Sequence, residues 1–86
     1  MNEDKKYDEL YNAILKLKSV EDCEAFFNDL CTYRELDSML GRVKAAKMLI
    51  AGETYEAIIE QKVVSSATLS RVSRCVKHGN GYKKFL

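Results

Sequence analysis

Apolar residues recur along the chain at the spacing of an α-helix, starting close to Met1. The first set consists of Tyr7, Leu10, Tyr11, Ile14 and Leu17. These residues stand at i, i+3, i+4, i+7 and i+10, so they share one face of a helix. The pattern predicts a first helix over residues 4–17.

Capping signals predict where the next two helices begin. Ser19 is a suitable N-cap for a second helix, because Glu21 and Asp22 follow in the first turn, where the helix dipole favours acids. The apolar stripe of this helix is Cys23, Phe26, Phe27, Leu30 and Cys31. Thr32 and Glu35 have capping-box spacing and predict a third helix that ends near Ala51. Gly41 inside it costs about 1 kcal/mol and indicates close packing or a kink.

The end of the third helix is unusually apolar. Residues 45–51 contain one polar side chain, Lys47. A helix that is apolar on nearly every side is usually buried on every side. A chain of 86 residues supplies few elements that could cover it. The pattern therefore predicts that a second copy of the chain takes part in the fold.

The remaining sequence predicts a short helix, a turn and a longer helix. Gly52 ends the third helix, and Thr54 caps a fourth over residues 55–61, with Ile58 and Ile59 directed inward. Residues 62–64 form the turn. Ser65 or Ser66 then caps a fifth helix that continues to about Lys77.

The fifth helix has one apolar side and one polar side. Leu69, Val72 and Val76 form its buried stripe, and Ser70, Arg71 and Arg74 lie elsewhere around it. Residues 78–81, His-Gly-Asn-Gly, end the helix. The basic and aromatic tail, residues 82–86, carries no pattern that assigns it. The chain thus predicts a single all-α domain of five to six helices, with dimerisation helices over about 4–51 and a helix-turn-helix over about 54–77.

Composition excludes several other classes of protein. Hydrophobic residues make up 47% of the chain and charged residues 31%, as in an ordinary globular protein. The pattern predicts neither a membrane span nor a signal peptide, so we expect a cytoplasmic protein. Three cysteines and one histidine form neither a disulfide framework nor a zinc site, and the cysteines are expected to be reduced and mostly core-filling. The chain has no catalytic triad, phosphate loop or metal cluster, so we expect neither an enzyme nor a cofactor.

Charge is strongly polarised along the chain although the formal net charge is +1. Residues 1–40 hold ten acids and five bases, whereas residues 41–86 hold three acids and nine bases. From Gln61 onward there are six bases and no acid. Such asymmetry is a footprint of an anionic partner, although a merely solvated basic surface has the same composition.

The predicted helix-turn-helix and this basic block together favour binding of double-stranded DNA. The start of a recognition helix must come close to base edges in the major groove, and Ser66, Ala67 and Thr68 are small enough to allow this. Ser70 and Arg71 are expected to reach bases, Arg71 by a bidentate contact to guanine. The residues expected at the DNA surface are Thr54, Lys62, Ser65, Ser66, Ala67, Thr68, Ser70, Arg71, Arg74 and Lys77. Of these, Thr54, Lys62, Arg74 and Lys77 suit phosphates.

Several of these residues also resemble a known family. Thr32, the stretch Leu40-Gly41-Arg42-Val43, Leu49, Gly52-Glu53 and the helix Ala67-Thr68-Leu69-Ser70-Arg71 are similar in order and spacing to the Trp repressor family, and most of all to its short YerC/YecD-type branch. The resemblance covers residues 32–77. It implies an intertwined homodimer with paired DNA-binding heads and a function in transcription regulation.

The resemblance also implies a candidate effector pocket, formed by Thr32, Arg42, Arg71 and Val72. Thr32, Arg42 and Arg71 match residues around the family's tryptophan ligand. However, Thr32 as a helix cap and Arg42 as a surface arginine need no ligand. The next position, a glycine in Trp repressor, is Val72, whose branched side chain fills the space beside the indole. We therefore expect no response to tryptophan, and the effector stays unknown. The chain also has one residue fewer before the recognition helix, and Val63 replaces the usual turn glycine.

The main alternative is a dimeric helical module that contacts protein or RNA without reading DNA sequence. Few aromatic residues accompany the basic block, apart from Tyr82 and Phe85. RNA recognition relies on such rings for stacking. The salt dependence of duplex binding separates the two interpretations.

Overall fold

The computed structural model describes residues 5–86, and every regular element among them is helical. The six helices are α1 (Asp8–Ile14), α2 (Val20–Leu30), α3 (Tyr33–Ile50), α4 (Tyr55–Glu60), α5 (Ser66–His78) and α6 (Tyr82–Phe85). The all-α prediction is confirmed. The chain divides between Thr32 and Tyr33 into two units, α1–α2 and α3–α6.

The first unit follows its predicted start signals only in part. Ser19 caps α2 as predicted, with its Oγ accepting from the Asp22 N–H at 3.0 Å. The Asp22 carboxylate in turn accepts from the Lys18 N–H at 3.0 Å. However, α1 is shorter than predicted, because after Ile14 the chain closes in a turn in which the Leu17 N–H donates to the Ile14 carbonyl at 3.0 Å. Asp4, the predicted start, lies outside the described residues.

The apolar side chains of the first unit are largely uncovered. None of the described residues of α1 or α2 is buried. Leu15 is 77% exposed and Val20 is 79% exposed. Cys23 is also exposed, whereas Cys31 in this unit and Cys75 in α5 are half-buried, so the expectation that most cysteines fill the core is wrong. Two short helices cannot bury a shared apolar face on their own.

The core lies in the second unit, where α5 packs across α3. Its fully buried residues come from three helices and are Ala45, Ala46, Ile58, Leu69 and Val72. The two alanines let the backbone of α5 approach α3 closely, and the larger side chains of α4 and α5 fill the space above them. Burial of each large side chain contributes roughly 1.5–3 kcal/mol.

Helix α3 begins and ends where the sequence predicts. It starts at Tyr33, directly after Thr32, and its last residue is Ile50. Gly52 follows with φ +92, its N–H donates to the Leu49 carbonyl, and the Glu53 N–H donates to the Met48 carbonyl, both at 3.0 Å. These paired bonds form a Schellman motif, which satisfies the last carbonyls of the helix.

Gly41 explains how α3 holds the turn between α4 and α5. A Cβ at this position would lie 3.1 Å from the Val63 carbonyl oxygen and 3.1 Å from Val64 Cγ1. The prediction of close packing at Gly41 is therefore confirmed. The turn backbone rests on α3 where no side chain intervenes.

The turn departs from the prediction in two respects. The residue in the left-handed region is Lys62, with φ 56, whereas the sequence pointed to Val63 as the substitute for the usual glycine. In α4 only Ile58 is buried, and Ile59 is 37% exposed, so the prediction that both point inward is wrong for Ile59. Because α4 has only six residues, its single buried side covers one of two consecutive isoleucines.

The last part of the chain forms a helix that the sequence did not assign. Helix α5 ends at His78, as predicted to within a residue, and the Gly79 N–H donates to the Cys75 carbonyl at 2.8 Å. Helix α6 follows, and its half-buried Tyr82 packs against the core cluster. A four-residue helix carries too little periodicity to be predicted.

The strained turn residue generates a stability prediction. A non-glycine residue in the left-handed region costs about 1–2 kcal/mol, part of which glycine loses again through its greater freedom in the unfolded chain. We expect Lys62→Gly to raise the free energy of unfolding by about 0.5–1 kcal/mol. The matched control is Val63→Gly, which removes a half-buried side chain packed on the core and should destabilise the fold. Urea denaturation measures both, and a lower midpoint for Lys62→Gly would contradict this interpretation.

Candidate nucleic-acid interface

Side-chain caps define both helices around the turn. The Thr54 hydroxyl accepts from the Ala57 N–H at 3.1 Å at the start of α4. At the start of α5, Ser65 Oγ accepts from the Thr68 N–H at 3.2 Å and donates to Thr68 Oγ1 at 3.1 Å. Ser65 rather than Ser66 is therefore the cap. The hydroxyls of Thr54 and Ser65 thus have structural roles at the two helix starts.

Burial separates α5 into two faces. Leu69 and Val72 are fully buried and Val76 is half-buried, as predicted. The opposite side is exposed and carries Ser66, Ala67, Ser70, Arg71, Arg74 and Lys77. Thr68 is half-buried beside the cap. The structure thus brings most of the predicted DNA-facing residues to one accessible side of one helix.

The exposed side of α5 is cationic and uncompensated. No acid follows Glu60 in the sequence. Within residues 5–86, no ion pair restrains Arg71, Arg74 or Lys77. Lys62, in the preceding turn, is also exposed. These cations are therefore available to an anionic partner.

A polar pocket lies between the start of α4 and the second half of α5. Its volume is about 340 Å³, and its lining residues are Tyr55, Ser70, Ser73, Arg74, Lys77 and His78. Sequence reasoning missed Tyr55, Ser73 and His78. The spacing of Ser70, Ser73, Arg74 and Lys77 was a usable signal for one helical face, but the position of Tyr55 depends on how α4 packs.

The candidate effector residues divide between the two units. Thr32 belongs to the first unit, and the other three belong to the second. Val72 is 1% exposed and is a member of the core cluster with Leu69 and Ile58. Arg42 is half-buried and Arg71 is exposed. The side chain of Val72 therefore supports the core at the position where the resemblance implies an open space.

Residues 5–86 present neither a metal-ligand cluster nor a membrane-spanning helix. No group of three or more His, Cys, Asp or Glu residues in this range could hold a metal ion. No helix in the same range is long and apolar enough to span a membrane.

Comparison with known proteins identifies clear relatives. Residues 5–86 match the family described as Trp repressor protein. The chain is 47% identical over 76 residues to the uncharacterized protein YerC of Bacillus subtilis (strain 168). This alignment covers 88% of this chain and 73% of YerC.

Two crystal structures have the same fold. A Trp repressor candidate from Staphylococcus aureus aligns with a TM-score of 0.86 and 46% identity, covering 94% of this chain and 82% of that one. A TrpR-like protein from Eubacterium eligens ATCC 27750 aligns with a TM-score of 0.84 and 41% identity, covering 93% of this chain and 84% of that one. At these identities, the similarity extends beyond the fold to the family.

The burial of Val72 generates a ligand-binding prediction. We expect tryptophan to leave the melting temperature unchanged, because the space beside the core is occupied by the valine side chain. A ligand at about 100 times its dissociation constant would add roughly 2.7 kcal/mol to the free energy of unfolding. Thermal unfolding with tryptophan, and with leucine as the matched amino-acid control, measures this. A rise specific to tryptophan would contradict the prediction.

Proposed function

Since the chain belongs to the Trp repressor family, a family of DNA-binding regulators rather than enzymes, we propose that it is a sequence-specific transcriptional regulator. It acts as a homodimer and inserts α5 of each subunit into the major groove. It performs no chemistry on the DNA, and occupancy of the site is its mechanism. We infer that it works in the cytoplasm, where bacterial DNA is found.

The observation that carries this proposal is the two-sided character of α5. Its apolar side is held in the core by Leu69 and Val72, so its polar side is directed to solvent. That side carries small residues at the start of the helix and cations further along. A recognition helix needs this order, because its first turns approach base edges while its remainder runs beside the phosphates.

The proposed contacts divide by position along the motif. Ser66, Ala67, Ser70 and Arg71 are near the start of α5 and read bases. Lys62, Arg74 and Lys77 contact phosphates, which position the helix without reading sequence. Ser65 and Thr68 lie at the DNA surface as the cap of α5, and Thr54 lies there as the cap of α4.

The proposed homodimer explains the uncovered apolar surface. In the first unit, Leu15 and Val20 are strongly exposed, and in α3 the exposed apolar residues Leu40, Val43 and Ile50 share a side. Val43 also lines an apolar groove of about 460 Å³ together with Cys75, Gly79, Gly81, Tyr82, Phe85 and Leu86. Exposed apolar surface of this extent is unusual on a monomer and typical of an interface. The occupant we propose is a second copy of the chain.

Duplex binding at varied salt tests the proposal. Two heads that neutralise about 6–8 phosphates should give a slope of log K against log salt of about −5 to −7. Sedimentation at the same protein concentrations should show a two-chain particle. Absence of duplex binding at low salt would instead favour a helical module that contacts protein or RNA, and a single-chain particle would contradict the homodimer.

A further inference from the structure

We propose that the polar pocket between α4 and α5 is a phosphate-binding site, which holds one phosphodiester group of duplex DNA in each subunit. The proposal rests on the proposed function and deepens it. It assigns roles to Tyr55, Ser73 and His78, and it makes Arg74 and Lys77 parts of one shaped site rather than separate surface charges.

The pocket is built by one face of α5 and the first residue of α4. Ser70, Ser73, Arg74 and Lys77 follow at i, i+3, i+4 and i+7, so they share a helical face. Tyr55 contributes the opposite wall. The core packing of Ile58 holds α4, and with it Tyr55, beside α5. The pocket is therefore part of the compact second unit.

Ser73 is the observation that points to a ligand. The residue is 9% exposed, and among residues 5–86 it is the only polar residue that is buried. Its hydroxyl takes part in none of the side-chain hydrogen bonds within that range. No buried side-chain oxygen or nitrogen of residues 5–86 lacks a partner, so this unbonded hydroxyl keeps access to solvent. Because Ser73 lines the pocket, its hydroxyl can donate a hydrogen bond to an acceptor oxygen placed there.

The lining residues select a phosphate among the groups that present such oxygens. Arg74 and Lys77 add two positive charges, no acid lines the pocket, and every lining side chain carries a hydrogen-bonding group. The guanidinium of arginine matches a phosphate with paired donors, and lysine adds a point charge. A phosphodiester shares one negative charge between two non-bridging oxygens, which these residues and Ser73 can bind together.

Arg71 is not among the lining residues. The pocket therefore separates the phosphate contact from Arg71, whereas Ser70 lies where the pocket adjoins the base-reading residues. The two functions lie on neighbouring sides of the same helix, so that a phosphate held in the pocket sets the position from which Arg71 reaches the groove.

Binding to a mixed-sequence duplex tests the site without knowledge of the preferred sequence. Arg74→Ala should reduce the magnitude of the salt slope by about 0.9 for each head, or about 1.8 for the dimer. Ser73→Ala should weaken binding by at least about tenfold at fixed salt and leave the slope unchanged, because it removes a hydrogen bond and no charge. The matched control is Lys84→Ala, which removes one exposed charge of α6 outside the pocket and should leave affinity nearly unchanged.

Titration with inorganic phosphate supplies a second measurement that does not depend on any variant. His78 is the one histidine of the chain, so its imidazole signals can be followed by NMR without ambiguity. We expect saturable shifts of these signals in wild type that Arg74→Ala abolishes and Lys84→Ala retains.

The outcomes distinguish this inference from the function it rests on. If Ser73→Ala and Arg74→Ala bind duplex DNA as tightly as Lys84→Ala does, the pocket is overturned and the proposed function stands. Absence of duplex binding by wild type would overturn both. If Ser73→Ala fails to fold, as judged by its helical circular dichroism, the slope of Arg74→Ala and the phosphate titration still decide the matter.

Discussion

The packing of Leu69 and Val72 against the alanine surface of α3 is the constraint on which the rest of the structure depends. These two residues of α5 are fully buried with Ala45 and Ala46. Because they lie three positions apart, their burial fixes the rotation of α5 about its own axis. The polar side is then directed outward without any interaction that needs to hold it there. The core of the second unit thus determines both the stability of the fold and the surface offered to a partner.

The same packing positions the turn and the pocket. Gly41 lets the turn backbone lie directly on α3, and Ile58 holds α4 at the side of α5. The turn closes tightly enough to place Lys62 in a backbone region that favours glycine. Strain of this kind persists only where the surrounding structure enforces it. The mutual position of α4 and α5, and with it the shape of the pocket, is therefore a consequence of core packing.

Local signals in the sequence predict most of the helix boundaries. The caps at Ser19, Thr54 and Ser65 and the glycine at position 52 depend on neighbouring residues alone, and each is found where expected. The buried stripe of α5 also follows from spacing. Features set by tertiary packing were not predictable in this way. The angle between α4 and α5 decides which of Ile58 and Ile59 is buried. It also decides which turn residue adopts the left-handed conformation. Recognition of the polar pocket needed Tyr55, which is distant in sequence from Ser73.

The measurement that tests the central claim most directly is the DNA-sequence preference of the Arg71→Ala variant. If α5 enters the major groove with the face that the core leaves outward, Arg71 lies against a base edge. Selection of bound sequences from a random pool should then show preference lost at one base position in each half-site, with a loss of about 1–3 kcal/mol on the preferred site. An equal loss of affinity for all sequences would contradict this orientation, because it would make Arg71 a phosphate contact only.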